Sequence, residues 1–189
     1  ETVHSGMDDS CDAFPHGCRA ELPGNGPADP LSAATTFGPL SSLGAAENLE
    51  AQLQRAEAQG ATIASRGRRD GAYFTPTVLT GVNPENDAYR EEFFGPVASV
   101  YRVANDAEAL QLANDIPFGL GSYLFTTAAA QALRLAHLNA AGVVFANGTG
   151  RASPHRPCGG ATRSVSGRRR QGRWPLSSTA STLPFCPLG

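Results

Sequence analysis

The chain has 189 residues, 15 of them basic and 17 acidic, for a formal charge of −2, which suits one domain of moderate size. Every basic residue is arginine, so Schiff-base lysines and phosphate-clamping lysines are excluded from this chain. No apolar run approaches the roughly 18 residues that span a bilayer and no secretory leader pattern follows Glu1, so a soluble, cytoplasmic protein with no membrane partner is expected.

The first 30 residues hold 8 Gly or Pro, the next 119 hold 16, and the last 40 hold 11. Composition therefore marks Leu31–Thr149 as the folded part and both ends as irregular. From Gly150 onward there are seven arginines and no acid, together with many Ser, Thr and Pro, and this tail is expected to be poorly ordered.

Within the middle, Ala46, Leu49, Leu53 and Ala56 recur at three- and four-residue spacing, which predicts a helix with one apolar stripe. Ser41 or Ser42 can cap its start, and Gly60 stands where a helix end favours a left-handed residue. Ala61–Ala64 reads as a short strand, Arg66–Gly71 as a turn and Tyr73–Leu79 as a second extended run, followed by loop residues Asn83-Pro84-Glu85-Asn86. Val97–Val103 is apolar and β-branched, a strand. Asn105 with Glu108 is a capping signature before a short helix that Pro117 stops. Leu120–Phe125 is a strand, Thr126 or Thr127 caps a helix over Ala128–Leu138, and Val143–Ala146 is the last strand after Gly142. Strand, helix, strand, helix, strand with short links implies an α/β fold, a mostly parallel open sheet with right-handed crossovers.

Familiar chemical motifs are absent. There is no glycine-rich nucleotide loop and no G-x-S-x-G elbow. Cys11, Cys18, Cys158 and Cys186 form no C-x-x-C pair, and His4, His16, His137 and His155 are scattered, so free thiols and no metal site are expected. Glu91 and Glu92 are neighbours, and neighbours diverge on any regular element, so they do not read as a working carboxylate pair. The Arg168-Arg169-Arg170 run could hold phosphate, but the rest of the chain is acidic and nucleic acid is not the expected partner. One segment stands out: Glu91-Glu92-Phe93-Phe94-Gly95-Pro96-Val97 sets an acid and an aromatic pair against a Gly-Pro turn at a strand. A carboxylate accepts hydrogen bonds from a ribose diol and an aromatic face packs a flat ring. A plain turn with a core Phe fits the same residues.

Glu92 to Pro96 matches the E-x-F-G-P motif of the aldehyde dehydrogenase superfamily, and further stretches resemble that family in the same order. They are Ala28-Asp29-Pro30-Leu31 with Thr36-Phe37-Gly38-Pro39-Leu40, then Phe74–Leu79, Asn114–Leu120 and Gly142–Asn147. The resemblance covers about residues 28–149, leaving 1–27 as an irregular N-terminal segment and 150–189 as the Arg-rich tail. It implies part of an aldehyde dehydrogenase catalytic domain, similar in flavour to succinate-semialdehyde dehydrogenases, that uses NAD or NADP to oxidise an aldehyde to the acid. In such enzymes a Cys thiolate adds to the aldehyde, hydride passes to the nicotinamide, and water releases the acid. The resemblance implies Glu92 at the nicotinamide ribose and Phe94 beside its ring. It assigns no catalytic residue here, because Val3-His4 and Asp12-Ala13-Phe14 resemble the stretch that follows the nucleophile, which places that Cys upstream of Glu1. The general base and the Rossmann cofactor domain are expected further upstream, so the chain alone is expected to be inactive. Pro157–Ser164 resembles P-F-G-G-x-K-x-S-G, with Cys158 for Phe and Thr162 for Lys. Gly172-Arg173-Trp174 echoes the family, whose members are homo-oligomers, but the strand used for subunit contact is not recognisable. The alternative is a non-catalytic α/β module that binds acidic partners or nucleic acid through the Arg-rich tail.

Overall fold

The computed structural model describes residues 2–5, 30–33, 35, 37–65, 69–148 and 161–164. The chain divides into two compact units, Glu1–Asn105 and Asp106–Gly189.

Helix α1, Leu43–Ala58, organises the first unit. All four residues of the expected stripe, Ala46, Leu49, Leu53 and Ala56, are buried. Burying a leucine side chain fully is worth about 1.5–3 kcal/mol, so this stripe contributes strongly to holding the helix in the unit. Ser42 is the N-cap, its Oγ accepting from the Ala45 N–H at 3.1 Å. At the other end Gly60 has φ +98°, and the N–H groups of Gly60 and Ala61 donate to the carbonyls of Glu57 and Ala56. That pair of bonds is a Schellman closure, and buried Ala61 completes it from the apolar side.

The sheet of the first unit comprises strands β1 (Thr2–Ser5), β2 (Thr62–Ser65), β5 (Thr77–Thr80) and β6 (Val97–Val103), in the order β1-β6-β5-β2. The β1–β6 and β6–β5 pairs are parallel, and β2 lies antiparallel on β5. The extended run from Tyr73 is broken into β4 (Tyr73–Phe74) and β5, and β4 pairs with β3 (Arg69–Asp70) around a Gly71 at φ +58°. The N-terminal segment, expected to be irregular, opens with β1, which pairs with four consecutive residues of the seven-residue β6. Val78 and Leu79 of β5 and Val100, Tyr101 and Val103 of β6 are buried, as is the stripe of α1.

The second unit is built on β8 (Gly121–Leu124) and β9 (Val143–Ala146), a parallel pair joined through helix α3 (Ala129–Leu138). Tyr123 stands opposite Phe145, and their rings stack at 5.4 Å between centroids. Helix α2 (Asp106–Asp115) buries none of its residues, whereas α3 buries Ala132 and Ala136. The expected strand-helix-strand-helix-strand unit is thus divided: its first strand, β6, is paired with β5 and β1 in the first unit, while its other two strands, β8 and β9, pair with each other in the second. Neither Thr126 nor Thr127 is the cap of α3. Ala128 holds that position without a side-chain bond, while Thr126 Oγ1 accepts from the Ala128 N–H at 3.1 Å. Instead α3 is fixed by side chains: Gln131 Nε2 donates to Asp106 Oδ2 at 2.6 Å and Arg134 Nη2 donates to the same oxygen at 3.0 Å.

Of the Arg-rich tail expected to be loose, residues 161–164 are described, and they are tied down. Strand β10 (Ala161–Thr162) lies antiparallel on β7 (Phe118–Gly119), Arg163 N–H donates to Pro117 O, and Gly119 N–H donates to Ser164 Oγ at 2.8 Å. Arg168-Arg169-Arg170, all four cysteines, and Gly172-Arg173-Trp174 lie outside the described residues. Among the described residues no helix is long and apolar enough to cross a membrane, and no group of three or more His, Cys, Asp or Glu could hold a metal ion.

Two asparagines from the motif-bearing stretches hold this unit's backbone. Asn114 Nδ2 donates to Leu138 O at 2.9 Å and its Oδ1 accepts from Ala140 N–H at 2.8 Å, closing the C-terminal end of α3. Asn147, at φ +52°, pairs with Thr126 through both ends of its amide, each at 2.8 Å, while its own N–H donates to Leu124 O at 2.7 Å. Asn147→Ala removes two side-chain bonds and puts Ala in the left-handed region, so it is expected to destabilise the chain by about 1–3 kcal/mol. Denaturant unfolding followed by circular dichroism measures it, and a change below about 0.5 kcal/mol, the range of ordinary surface substitutions, would show that the clamp contributes nothing.

Candidate functional site

The stretch from Asn83 to Val97 links β5 to β6 and carries the acid and ring picked out by sequence. It is folded by local bonds. Asn83 Oδ1 accepts from Glu85 N–H, and Asn83 O accepts from Asn86 N–H. Asn86 then caps a 3-10 turn over Asp87–Tyr89 through Ala88 N–H, and Glu91 N–H returns to Asp87 O at 3.1 Å. At the far end Val97 N–H donates to Gly95 O and Thr77 N–H donates to Pro96 O, both at 2.8 Å. The Gly-Pro turn is thus stitched to the first residue of β5.

Helix α1 supplies the wall on which this loop rests. Asn86, 2% exposed, donates from Nδ2 to Ala56 O at 2.9 Å. Gln59 takes Asp87 from both sides: its Oε1 accepts from Asp87 N–H at 2.8 Å and its Nε2 donates to Asp87 Oδ2 at 2.9 Å. Arg55 Nη2 reaches both carboxylate oxygens of Glu91, at 3.0 and 3.1 Å. Gln52 Nε2 donates to Glu91 Oε2 at 3.0 Å and approaches Glu92 O at 3.5 Å. Finally, a Cβ on Gly95 would collide with Cδ2 of the buried Leu49. Gly95 is therefore needed for close approach to the helix, not for an unusual φ.

The two adjacent carboxylates are placed very differently. Glu91 is part-buried and bound to α1, whereas Glu92 is exposed and shares none of those carboxylate bonds. Phe94 is 77% exposed, so the reading of it as a plain core Phe fails. An exposed aromatic ring and an exposed acid two residues apart, on a backbone pinned at both ends, form a rigid two-point surface. This surface lies at the amino ends of β5 and β6, not at the carboxyl ends where open α/β sheets ordinarily hold ligands.

Sequence reasoning missed Gln52, Arg55 and Gln59. Their signal was present: with Ala56 they stand at helical spacing beside the apolar stripe, a polar seam next to a buried one. Of the other motif stretches, Phe74 and Val78 are core residues, and Asn114 and Asn147 hold backbone.

A family model described as "Aldehyde dehydrogenase family" matches residues 8–182. The succinate-semialdehyde dehydrogenase [NADP(+)] of Deinococcus radiodurans is 42% identical over 160 residues, covering 83% of this chain and 34% of that protein. Among solved structures, succinic semialdehyde dehydrogenase from Streptococcus pyogenes in complex with NADP+ superposes with a TM-score of 0.83 at 30% identity, over 88% of this chain and 37% of that one. Betaine aldehyde dehydrogenase from Staphylococcus aureus in complex with NAD+ gives a TM-score of 0.81 at 30% identity, over 88% of this chain and 34% of the other. The chain spans about a third of the length of these relatives. With the motifs in order along an α/β fold, and the family model covering most of its length, the chain belongs to the aldehyde dehydrogenase family.

Proposed function

We propose that the chain carries the nicotinamide-facing part of an NAD(P)-dependent aldehyde dehydrogenase that oxidises an aldehyde, of the succinate-semialdehyde kind, to its acid. The observation that carries this reading is the pair of exposed side chains, Glu92 and Phe94, on a loop held rigid by α1 and β5. The residues fit the cofactor. The Glu92 carboxylate can accept hydrogen bonds from both hydroxyls of a ribose, and the Phe94 face can pack a flat pyridine ring. When bound, the nicotinamide supplies a hydride acceptor. The chain's own part is to orient it: because Pro96 and Thr77 fix the loop in advance, little conformational entropy is lost on binding. NADP in one relative's complex and NAD in another's leave both as cofactors for the family surface used here. The succinate-semialdehyde assignment rests on the Deinococcus relative. As a soluble enzyme of an intracellular cofactor, the complete protein is assigned to the cytoplasm, with the aldehyde as its partner.

The 189-residue chain by itself is expected to reduce neither NAD nor NADP with any aldehyde, since no cysteine in it stands in a G-Q-x-C setting. The test supplies the purified chain with succinate semialdehyde and NAD(P) and follows NAD(P)H absorbance. The same assay is run with the upstream remainder of the Deinococcus relative, its cofactor domain included, joined in cis. Turnover only in the joined protein is expected. Turnover by the chain alone that disappears in Cys11→Ser or Cys18→Ser would overturn this division of labour.

A further inference from the structure

We infer that Arg55 and Gln52 of α1 are positioning residues for the cofactor surface: by engaging Glu91 they force Glu92, and not its neighbour, to face outward with Phe94. This rests on the reading of Glu92 given above and adds to it the device that sets the loop's register.

Two acids stand side by side in a loop that must present one of them. A loop with both carboxylates free could rotate to offer either, and its exposed ring would turn with it. Helix α1 removes that choice. Gln52, Arg55, Ala56 and Gln59 lie at i, i+3, i+4 and i+7, one seam along the helix. In that order they take Glu91, Glu91 again, Asn86 and Asp87. Leu49, one turn before Gln52, presses where Gly95 has no side chain. The seam thus runs the length of the loop, from Asn86 to Gly95. Arg55 is its only cation: it bonds both oxygens of Glu91 and lies 3.9 Å from Asp87 Oδ2. One guanidinium nitrogen shared between both oxygens, with the Gln52 amide on Oε2, holds the Glu91 carboxylate against α1. Gln52 adds the amide that spans the two acids, touching the side chain of Glu91 and the carbonyl of Glu92.

Neither Arg55 nor Gln52 is a catalytic residue; each acts through Glu91. The pair is partly exposed, with side-chain accessibilities of 45% for Arg55 and 33% for Glu91. Its loss should therefore leave the fold in place while loosening the loop, raising the KM for NAD(P) by about three- to tenfold with kcat changed less than about twofold.

The test uses the complete enzyme carrying this chain, with four variants: Arg55→Glu, the swap Arg55→Glu with Glu91→Arg, Gln52→Ala, and Glu92→Gln as the reference for the site itself. KM and kcat for NAD(P) are read for each, and amide exchange at Glu91 and Glu92 is read by mass spectrometry. The expected result is a raised cofactor KM and faster exchange in Arg55→Glu, a smaller shift in Gln52→Ala, and recovery of both in the swap. A merely structural role for Arg55 would show as lowered stability and a lowered kcat, without a cofactor KM raised on its own. If Glu92→Gln raises the KM while Arg55→Glu leaves it unchanged, the positioning role is overturned and the cofactor surface stands. If both variants leave it unchanged, the reading of Glu92 falls and the positioning role falls with it.

Discussion

Leu49→Ala is expected to lower the free energy of unfolding by about 2–5 kcal/mol, the range for truncating a well-packed core leucine. Leu49 is 1% exposed and occupies the middle of the α1 stripe, between Ala46 and Leu53. It also backs the turn at Gly95, where an added Cβ would strike its Cδ2. The two positions should therefore couple. Alone, Gly95→Ala overpacks the contact and should cost about 1–3 kcal/mol. With Leu49→Ala the same methyl enters space that the leucine has vacated, so the double variant should be more stable than the sum of the two losses implies, by at least about 0.5 kcal/mol. Urea unfolding of the four proteins by circular dichroism gives the cycle. Strict additivity would mean that the loop does not rest on the helix at this point.

The elements near the site were legible because local signals and burial agreed. Ala46, Leu49, Leu53 and Ala56 are a helical stripe in sequence and a buried stripe in the structure, and Ser42 and Gly60 close its ends as their chemistry dictates. Val143–Ala146 was legible for the same reason, an apolar β-branched run behind a glycine. What sequence could not give was pairing. Val97–Val103 reads equally well beside any parallel neighbour, and only the register with Thr77–Thr80 and Thr2–Ser5 places it in the first unit. Two-residue strands such as Ala161–Thr162 have no periodicity to detect, since their existence depends on the partner at Phe118–Gly119. Thr126 misled because a threonine before a helix can bond a nearby N–H without being its cap.

For the site, the motif separated Glu92 from Glu91 by resemblance, while the physical cause of their difference lay 36 residues away in Arg55. Long-range ion pairs leave no local trace in a sequence, so the seam of Gln52, Arg55 and Gln59 could be seen as polar but not as the loop's support. The exposure of Phe94 was equally hidden, because a Phe beside Gly-Pro is as compatible with a core position as with a surface one.

Glu92→Gln bears most directly on whether this loop is the cofactor surface. The substitution keeps the side chain's size and removes the charge that strengthens a bond from a ribose hydroxyl. A lost charge-assisted hydrogen bond costs about 1.5–3 kcal/mol, so cofactor use should fall by roughly ten- to a hundredfold. Glu91→Gln keeps an acceptor for Gln52 and Arg55 and should cost less, about threefold to tenfold, through the loosened loop alone. The measurement is kcat/KM for NAD(P) in the complete enzyme, for the two variants side by side. The larger loss is expected at Glu92, with kcat/KM for the cofactor down at least about tenfold. Equal losses at the two positions, or a larger loss at Glu91, would contradict it.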